Sequence, residues 1–332
     1  MSISREAVGL KMPSVGVVVV NWNSFAELQR CLAALAAVRG QIWRTVVIDN
    51  CSRYAPDELP HPRPDNTEYV RLDSNTGFAR GNNLALAYLE DCDWIALVNP
   101  DAYVDADWLG SLLDAAARYP DCAMFASCLL KANNPGILDG AGDSYNLSGL
   151  AWRRGHGVAR QTFTVGEEEV FAPCAAAALY RRDVLVALGG FDEDFFCYFE
   201  DVDLAFRFRL AGHRCILVGN AIAHHVGSAT TGGQNSDFVV YHGHRNMVWC
   251  YYKNMPSILF WSLLPFHTAI NIALIIRFAL RGQGRTILRA KWDAVKGIPR
   301  MWRKRRMIQT SRVASIGEIW RVLDKSLLPR KK

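Results

Sequence analysis

The first hundred residues alternate between short apolar runs and segments in which apolar residues recur at helical spacing. Val15–Val20 (VGVVVV) is rich in β-branched residues and predicts a buried parallel strand. Leucine and valine recur at helical spacing over Ala26–Val38, which predicts the first helix. The same criteria predict strands Thr45–Ile48, Glu68–Leu72 and Trp94–Val98, and a helix at Gly81–Leu89. This alternation is typical of an open, mostly parallel α/β sheet.

Asparagine and aspartate side chains come directly after three of these strands. They are Asn21, Asn23, Asp49, Asn50, Asn99 and Asp101. Ligands bind at the carboxyl ends of the strands in such sheets, so we expect these side chains to converge on one crevice. No G-x-G-x-x-G or G-x-x-x-x-G-K-[ST] motif follows the first strand, which argues against a dinucleotide-binding dehydrogenase and a P-loop NTPase.

A second candidate site is the stretch Phe191–Phe208 (FDEDFFCYFEDVDLAFRF), in which acids and aromatic rings are interleaved. Its six carboxylates are Asp192, Glu193, Asp194, Glu200, Asp201 and Asp203. Acids in an apolar frame have shifted protonation equilibria or hold a cation, and both are signs of a working site. The alternative is a strand edge with a polar rim.

Charge is distributed unevenly along the 332 residues. The net charge is +6, but residues 281–332 carry 16 basic and 3 acidic side chains, so the remainder is mildly acidic. A basic tail of this kind favours a polyanionic partner, either lipid headgroups or nucleic acid. The nine cysteines form no C-x-x-C pair, which favours a reducing compartment over a disulfide framework or zinc knuckle. The first twelve residues show no secretory signal.

Ser257–Leu280 is a mostly apolar segment of 24 residues that precedes the basic tail. It is long enough to span a bilayer, but Pro265, His267, Asn271 and Arg277 interrupt it. A hairpin of amphipathic helices lying in the membrane interface fits these interruptions better. The cationic run WRKRRM would then lie over anionic lipid. An ordinary core helix with a solvated basic tail is the alternative.

Six motifs in chain order carry a family resemblance. They are VVVVNWN, VVIDNCS, LDSNTGFARGNN, ALVNPDAYV, APCAAAALYRRDVLVALGGFDEDFFCYFEDVDLAFRFRLAGHR and AHHVGSATTG. Over about Pro13–Pro256 the chain resembles the family 2 glycosyltransferases, especially the rhamnosyltransferase-like branch of bacterial surface-polysaccharide assembly. The resemblance implies a GT-A fold and an inverting transfer from a nucleotide-diphosphate sugar, dTDP-rhamnose or a UDP-sugar. The acceptor is expected to be a saccharide or a lipid-linked saccharide.

The resemblance also implies roles for individual residues. Asp49 matches the acid that contacts the base or ribose. Asp101 matches the last acid of the family's metal motif, with Asn99 in place of the first acid, and is expected to bind Mg²⁺ or Mn²⁺. A late histidine completes that site, and His225 is favoured over His224, although either could instead be a hydrogen-bonded core residue. The remaining donor-side positions are Asn21, Asn23, Asn50, Gly77, Phe78, Arg80, Asn82 and Asn83.

Catalysis is expected from the FEDVD motif. Asp201 matches the family's general base, which deprotonates the acceptor hydroxyl, and Glu200 matches its partner. Asp203 is expected to cap a helix that begins at about Leu204. The small residues Ala175–Ala178 would let a sugar lie against the backbone, and Trp152–His156 would form a loop on the acceptor side.

These expectations divide the chain into a GT-A catalytic domain, residues 1–255, and a helical, basic, membrane-associating region, residues 256–332. The enzyme would then be cytoplasmic, on the inner face of the plasma membrane, and would bind no nucleic acid. Two alternatives stay open at this point. One is a metal-dependent nucleotidyltransferase, although no basic glycine-rich loop is present. The other is a non-catalytic protein whose basic tail binds nucleic acid or lipid.

Overall fold

The computed structural model describes residues 13–40, 42–54, 58–163, 166–227, 233 and 236–326. The N-terminal twelve residues, Ser228–Gly232 of the last family motif and the last six residues lie outside this part. The described strands form one sheet of ten strands and a separate ribbon made of the eighth and ninth strands. The described strands are β1 Val15–Asn21, β2 Arg44–Asp49, β3 Thr67–Arg71, β4 Trp94–Val98, β5 Ala102–Val104, β6 Cys122–Lys131, β7 Asn134–Ala141, β8 Asp143–Tyr145, β9 Ala151–Arg153, β10 Glu167–Glu169, β11 Ala177–Arg181 and β12 Arg214–His225.

The main path of the large sheet has the order β10-β12-β6-β11-β4-β1-β2-β3, with β5 paired to β12 and β7 to β6. Strands β4, β1, β2 and β3 are parallel, as the sequence predicts. Strand β11 runs antiparallel between β4 and β6, so the other half of the sheet is mixed. The β1–β2 register places Asn21 beside Asp49, which aligns the carboxyl ends of the two strands.

Both faces of the sheet are covered by helices. These are α1 Phe25–Ala36, α2 Gly77–Leu86, α3 Trp108–Arg118, α4 Arg182–Ala187, α5 Glu200–Leu210, α6 Asp237–Asn254, α7 Ser257–Phe278, α8 Gly284–Thr310 and α9 Ile316–Val322. Val17 and Val19 of β1 pack with α1 and α3, whereas Val18 and Val20 pack with α2 and α5. Burial on both faces explains why β1 is a continuous apolar run rather than an alternating one.

Helix α2 begins four residues before the predicted start, so the residues Gly77–Gly81 (GFARG) are helical. Side chains supply acceptors for the amides ahead of the helix. The Thr76 amide donates to Asn50 Oδ1 at 2.8 Å, and the Gly77 amide donates to Asn75 Oδ1 at 2.9 Å. These bonds satisfy N–H groups that a helix start otherwise leaves without partners.

Helices α7 and α8 form an antiparallel hairpin. The chain turns over Ala279–Gln283, where Gly282 has a φ of 82°. Phe260 and Trp261 near the start of α7 contact Trp302 near the end of α8, with ring centroids 5.6 and 6.3 Å apart. The sequence predicts a hairpin over Ser257–Leu280 from the interruptions in the apolar segment, but these interruptions lie inside the single helix α7, and the turn comes only after it.

The hairpin also packs on α6. At Gly297 of α8 an added Cβ would lie 2.4 Å from Trp249 Nε1, so only glycine allows the two helices to approach this closely. The Trp249 indole N–H donates to the Ala294 carbonyl at 2.9 Å. Beyond α9, the Asp324 amide donates to the Tyr145 carbonyl at 2.8 Å, which fixes this part of the C-terminal segment to β8.

Candidate active site

A cavity of about 260 Å³ opens at the carboxyl ends of β1 and β4, beside the end of β12 and the start of α5. Many of the residues predicted from the sequence line it. They are Asn50, Gly77, Phe78, Asn99, Asp101, Glu200, Asp201 and His225. The cavity therefore joins the polar ends of the parallel strands with the acidic and aromatic stretch, which are about a hundred residues apart in the chain.

Asn21, Asn23 and Asp49 lie behind the cavity wall. Asp49 is fully buried, and its Oδ1 accepts from Asn21 Nδ2 at 2.9 Å and from Ser52 Oγ at 2.5 Å. Asn23 Oδ1 accepts from the Arg53 amide at 2.7 Å. These bonds hold together the loops that follow β1 and β2.

Three further predicted donor-side residues of α2 also lie off the cavity lining. Arg80 is half exposed and approaches Glu193 at 3.9 Å. Asn82 is buried and donates to the Phe78 carbonyl at 2.9 Å. Asn83 donates to the Phe191 carbonyl and accepts from the Phe191 amide, at 2.9 and 2.8 Å, and thereby attaches α2 to the acidic stretch.

One pole of the cavity consists of Asn99, Asp101 and His225. His225 is 3% exposed, and its Nε2 lies 3.4 Å from Asp101 Oδ1. Its Nδ1 lies 2.7 Å from Asp139 Oδ2. Asn99 Oδ1 is buried and has no hydrogen-bond partner among the described residues. Oxygen and imidazole ligands that meet beside an unsatisfied buried oxygen fit a divalent cation.

The protonation of this pole is set by its own hydrogen bonds. Burial lowers the pKa of His225, but the bonds to Asp101 and Asp139 outweigh burial and raise the pKa above its usual value. Burial raises the pKa of Asp101, but the hydrogen bond from His225 outweighs it and lowers the pKa. An imidazole must lose its proton to ligate a metal, so cation binding here is expected to release a proton.

The opposite pole contains Asp201 and Glu200, at the start of α5. Asp201 accepts from the backbone amides of Val202 and Ala175, at 2.8 and 3.4 Å. Burial raises the pKa of Asp201, and burial together with Asp201 raises the pKa of Glu200 well above its usual value. Neither acid has a salt-bridge partner in the part of the chain that the structure describes. A buried carboxylate of raised basicity is suited to remove a proton from a hydroxyl group.

Asp143 and Cys174 lie beside Asp201, with one ligand atom from each of the three within 4.8 Å of the others, close enough to hold a metal ion. Asp143 Oδ1 is buried without a hydrogen-bond partner among the described residues. Burial, with a smaller effect of Asp201, raises the pKa of Asp143 to about 7. The guanidinium group of Arg153 also lines the cavity and interacts electrostatically with all three groups. Its Nη1 lies 3.3 Å from His225 Nδ1 as well, so this cation adjoins both poles.

Sequence reasoning missed Asp139, Asp143 and Cys174, and placed Arg153 only within a loop. Arg153 forms a salt bridge with Asp139. The signal that could have found the two acids is the segment LDGAGD, residues 138–143, where two aspartates stand in an otherwise apolar, glycine-rich strand end. His156 Nδ1 donates to the Asp139 carbonyl at 2.8 Å, so part of the predicted Trp152–His156 loop does approach the site.

The structure separates the two adjacent histidines and corrects the role of Asp203. His224 Nε2 pairs with Asp105 at 3.1 Å, on the other face of β12 from the cavity.

Helix α5 begins at Glu200 rather than Leu204, and Phe199 is its N-cap residue. Asp203 is therefore not a cap. It is fully buried and binds Lys253 at 2.8 Å, because α6 brings that cation into the core.

Comparison with known proteins identifies the family. The family model for glycosyl transferase family 2 matches residues 16–189, which is more than half of the chain. The protein belongs to glycosyl transferase family 2. Membership favours sugar transfer over the nucleotidyltransferase and the non-catalytic binding protein that the sequence left open.

Relatives and solved structures agree with this assignment. The family member is 25% identical over 248 residues to an N-acetylglucosaminyl-diphospho-decaprenol L-rhamnosyltransferase of Mycobacterium tuberculosis, covering 68% of this chain and 80% of the relative. Its fold is similar to that of TarS 1–349 from S. aureus (TM-score 0.55, 17% identity, 92% and 88% of the two chains). It is equally similar to the mannosyltransferase PcManGT from Pyrobaculum calidifontis, solved with GDP-Man and Mn²⁺ (TM-score 0.53, 16% identity, 94% and 88%). The GT-A fold predicted from the sequence is confirmed.

Proposed function

We propose that this protein is an inverting, metal-dependent glycosyltransferase that moves a sugar from a nucleotide-diphosphate sugar to a saccharide or lipid-linked saccharide. The observation that carries the proposal is that one cavity contains both a cation pole (Asn99, Asp101 and His225) and the carboxylate of Asp201. Sugar transfer needs both, because the leaving diphosphate gains negative charge while the attacking hydroxyl loses a proton.

Asp101 and His225 would hold the cation, with Asn99 adding an oxygen ligand. When bound, Mg²⁺ or Mn²⁺ neutralises the charge that develops on the diphosphate. Asp139 accepts the Nδ1 proton of His225 and so keeps Nε2 directed at Asp101, an orientation that ligating histidines commonly need. PcManGT, which has the same fold, was solved with Mn²⁺, which supports a cation in this protein.

Asp201 would act as the general base toward the acceptor hydroxyl. The amides of Val202 and Ala175 orient its carboxylate. Burial, together with Asp201, raises the pKa of Glu200 next to it well above its usual value, which disfavours a second charge beside Asp201.

The donor side is expected to lie against Asn50, Gly77 and Phe78, with Asn21, Asn23 and Asp49 supporting the loop behind it. Arg80, Asn82 and Asn83 would contribute from α2. The rhamnosyltransferase relative favours dTDP-rhamnose among the donors, and a UDP-sugar is the second choice. The name of that relative also favours a lipid-linked saccharide as acceptor.

A screen of nucleotide-sugars for thermal stabilisation tests this proposal. Each donor is added with Mg²⁺, with Mn²⁺ or with EDTA, and the unfolding temperature is measured. A ligand present at about 100 times its dissociation constant adds about 2.7 kcal/mol, which is readily detected. We expect one donor to stabilise the protein only with a divalent cation, and Asp101→Ala to abolish the effect. Stabilisation by no nucleotide-sugar would overturn the proposal.

The hairpin α7–α8 would place the enzyme on the inner, cytoplasmic face of a membrane, with residues 256–332 as the membrane-associating region and residues 1–255 as the catalytic one. Residues 257–310 include a helical window long and apolar enough to cross a membrane, and only 22% of that window is buried. The exposed apolar side chains include Ile258, Trp261, Ile272, Ile276, Leu288, Trp292 and Val295.

Two polar residues of α7 face the protein. His267 is 3% exposed, and its ring stacks on Tyr251 with centroids 4.0 Å apart. Asn271 Oδ1 accepts from Lys291 Nζ at 2.5 Å. Ser262, Thr268 and Arg277 are exposed beside the outward isoleucines, so the outer face of α7 is mostly apolar with a few polar groups, as expected of a helix in a membrane interface.

The basic run over residues 302–307 differs in part from the sequence prediction. Lys304 pairs with Asp192 and Asp194, and Arg305 is buried and donates to backbone carbonyls of residues 252 and 255. Only Arg303 and Arg306 of this run are exposed and able to reach anionic headgroups. The physical reason is that α8 packs on the acidic stretch, which neutralises Lys304.

Vesicle binding tests the membrane proposal. The double variant Ile272→Glu, Ile276→Glu should reduce partitioning onto anionic vesicles by a factor of ten or more, since burying each isoleucine contributes about 1.5–3 kcal/mol. Binding of the unaltered protein should rise with anionic lipid and retain a salt-resistant part. Val186→Glu, at an exposed apolar position of α4, is the matched control. Equal binding by both variants would contradict the proposal.

A further inference from the structure

The loop between the acidic stretch and α5 has an unusual backbone conformation. Phe196, Tyr198 and Phe199 have φ values of 66°, 63° and 68°, in the left-handed region that bulky side chains rarely adopt. Residues strained in this way cluster at functional sites. All three side chains line the active-site cavity.

Helix α6 holds this loop in place. Asn246 is fully buried, and its Nδ2 lies 2.8, 2.8 and 2.7 Å from the carbonyl oxygens of Phe195, Cys197 and Tyr198. Arg245 donates to the Phe195 carbonyl at 3.0 Å. The side-chain amide of Asn246 is therefore shared among three carbonyls of the strained loop. These hydrogen bonds from α6 hold the loop in its strained backbone conformation.

The strained loop and α6 together present a set of rings to the cavity. Phe238 packs edge-on against both Phe196 and Tyr198, with centroids 6.5 and 6.3 Å apart. The His242 ring stacks on Phe196 at 5.3 Å. Burial, followed by Arg245, lowers the pKa of His242 to about 4, so this ring is neutral and supports the stack without adding charge.

The rings also adjoin the donor side. An added Cβ at Gly77 would lie 2.5 Å from Phe196 Cδ2, so Gly77 allows this ring to reach the helix start beside the proposed nucleotide position. Phe238 lines the cavity and is nevertheless 36% exposed, so part of its ring is open to a ligand. A platform of rings next to Asp201 matches the apolar faces of a pyranose ring, while hydroxyl groups at the sugar edge remain free to bind polar groups.

We propose that Phe196, Tyr198 and Phe238 form a platform that binds a sugar ring of the acceptor, and that Asn246 positions it. This inference rests on the proposed function, because that function makes the cavity a site for an acceptor saccharide. Binding of a saccharide to the platform can nevertheless be measured separately from sugar transfer. Phe238 would be a specificity-determining residue, because its side chain is the most exposed of the three.

Saccharide binding can be measured without knowing the natural acceptor. A panel of methyl glycosides of N-acetylglucosamine, glucose, galactose, mannose and rhamnose is titrated against the full chain, with UDP or dTDP and Mg²⁺ present. Saturation-transfer NMR gives the dissociation constants. We expect at least one glycoside to bind, and Phe238→Ala to weaken it roughly two- to tenfold, the fold-change that corresponds to the loss of one aromatic contact.

Two variants complete the design. Phe238→Trp keeps an aromatic face and should retain binding. Tyr88→Ala is the matched control, because Tyr88 is 37% exposed, as open as Phe238, but does not line the cavity. The proposal is overturned if no glycoside binds the unaltered protein, if Phe238→Ala binds as the unaltered protein does, or if Tyr88→Ala loses as much. Failure of every nucleotide-sugar in the thermal screen would reject the proposed function while leaving glycoside binding through Phe238 intact.

Discussion

Two groups of carboxylates lie within twelve residues of each other and are treated in opposite ways by the fold. Asp192, Asp194 and Asp203 are bound by cations from α6 and α8, namely Lys253, Arg300 and Lys304. Glu200 and Asp201 face the cavity and have no salt bridge among the described residues. We call the first group the paired acids and the second group the cavity acids.

The difference separates structure from chemistry. Burial raises the pKa of Asp192, but Lys253 and Lys304 outweigh burial and lower the pKa, so this acid stays charged and joins the acidic stretch to the C-terminal helices. The pKa values of Glu200 and Asp201 are raised instead, because burial outweighs the opposing effects, which at Asp201 are backbone hydrogen bonds and Arg153. Acids that are paired hold elements together, and acids left unpaired in a cavity are available for proton transfer.

The largest expected effect is on the cavity acids. Asp201→Asn keeps the shape of the side chain and removes its basicity, so turnover should fall by about 10²–10⁴-fold. Stability should change little, since Asp201 forms no salt bridge with any residue that the structure describes. Turnover with the donor identified in the thermal screen checks this, and Asp183→Asn, an exposed acid of α4, should behave as the unaltered protein. A variant that keeps more than roughly a tenth of the activity would reject Asp201 as the base.

The paired acids should show the reverse pattern. Asp203→Asn removes a fully buried charge that binds Lys253 and Arg207, at 2.8 and 3.0 Å, and leaves those cations undercompensated. The free energy of unfolding should fall by about 3–5 kcal/mol, the usual result of removing one member of a buried ion pair. Urea unfolding measures it. A change below about 1 kcal/mol would show that Asp192 already satisfies Lys253, and that the carbonyls of Leu188 and Gly190 already satisfy Arg207.

The sequence predicted the parallel half of the sheet because β1, β2 and β4 are buried on both faces and read as apolar runs. It predicted Asp101, Asp201 and His225 because a family resemblance supplied their roles. It separated the structural Asp203 from Asp201, but it predicted a helix cap, since only Lys253, fifty residues later, shows that Asp203 belongs to a buried ion pair. Asp139 and Asp143 were missed for the same reason, because their partners come from β9, β12 and α5 and no local pattern shows those contacts.

Asp143, which lies beside the cavity acids, and Asp192 of the paired acids should also make the free energy of unfolding respond to pH in opposite directions. Asp143, next to Asp201, has a pKa raised to about 7, so between about pH 4 and 7 the unfolded chain has lost this proton while the folded protein keeps it. Stability therefore falls as pH rises, by on the order of 2 kcal/mol between pH 5 and 7. The lowered pKa of Asp192 acts in the other direction, and its stabilisation is lost only at acid pH.

Unfolding temperatures measured from pH 5 to pH 7 check this slope. Asp143→Asn has no proton to lose and should flatten the dependence, whereas Asp183→Asn should leave it unchanged. A slope that persists in Asp143→Asn would assign the effect to another group, of which Glu200 is the first candidate because its pKa is also raised.

The smallest effect is expected where α8 meets the paired acids. Lys304 Nζ lies 2.5 Å from Asp192 and 2.6 Å from Asp194, but its side chain is 29% exposed and both acids keep a second cation, Lys253 or Arg300. Lys304→Met should therefore lower the free energy of unfolding by about 1 kcal/mol. Arg303→Met, on the exposed side of the same turn, should have no effect on stability but should weaken binding to anionic vesicles slightly. If the two variants exchanged these effects, α8 would present its basic residues to the membrane in the way that the sequence alone suggested.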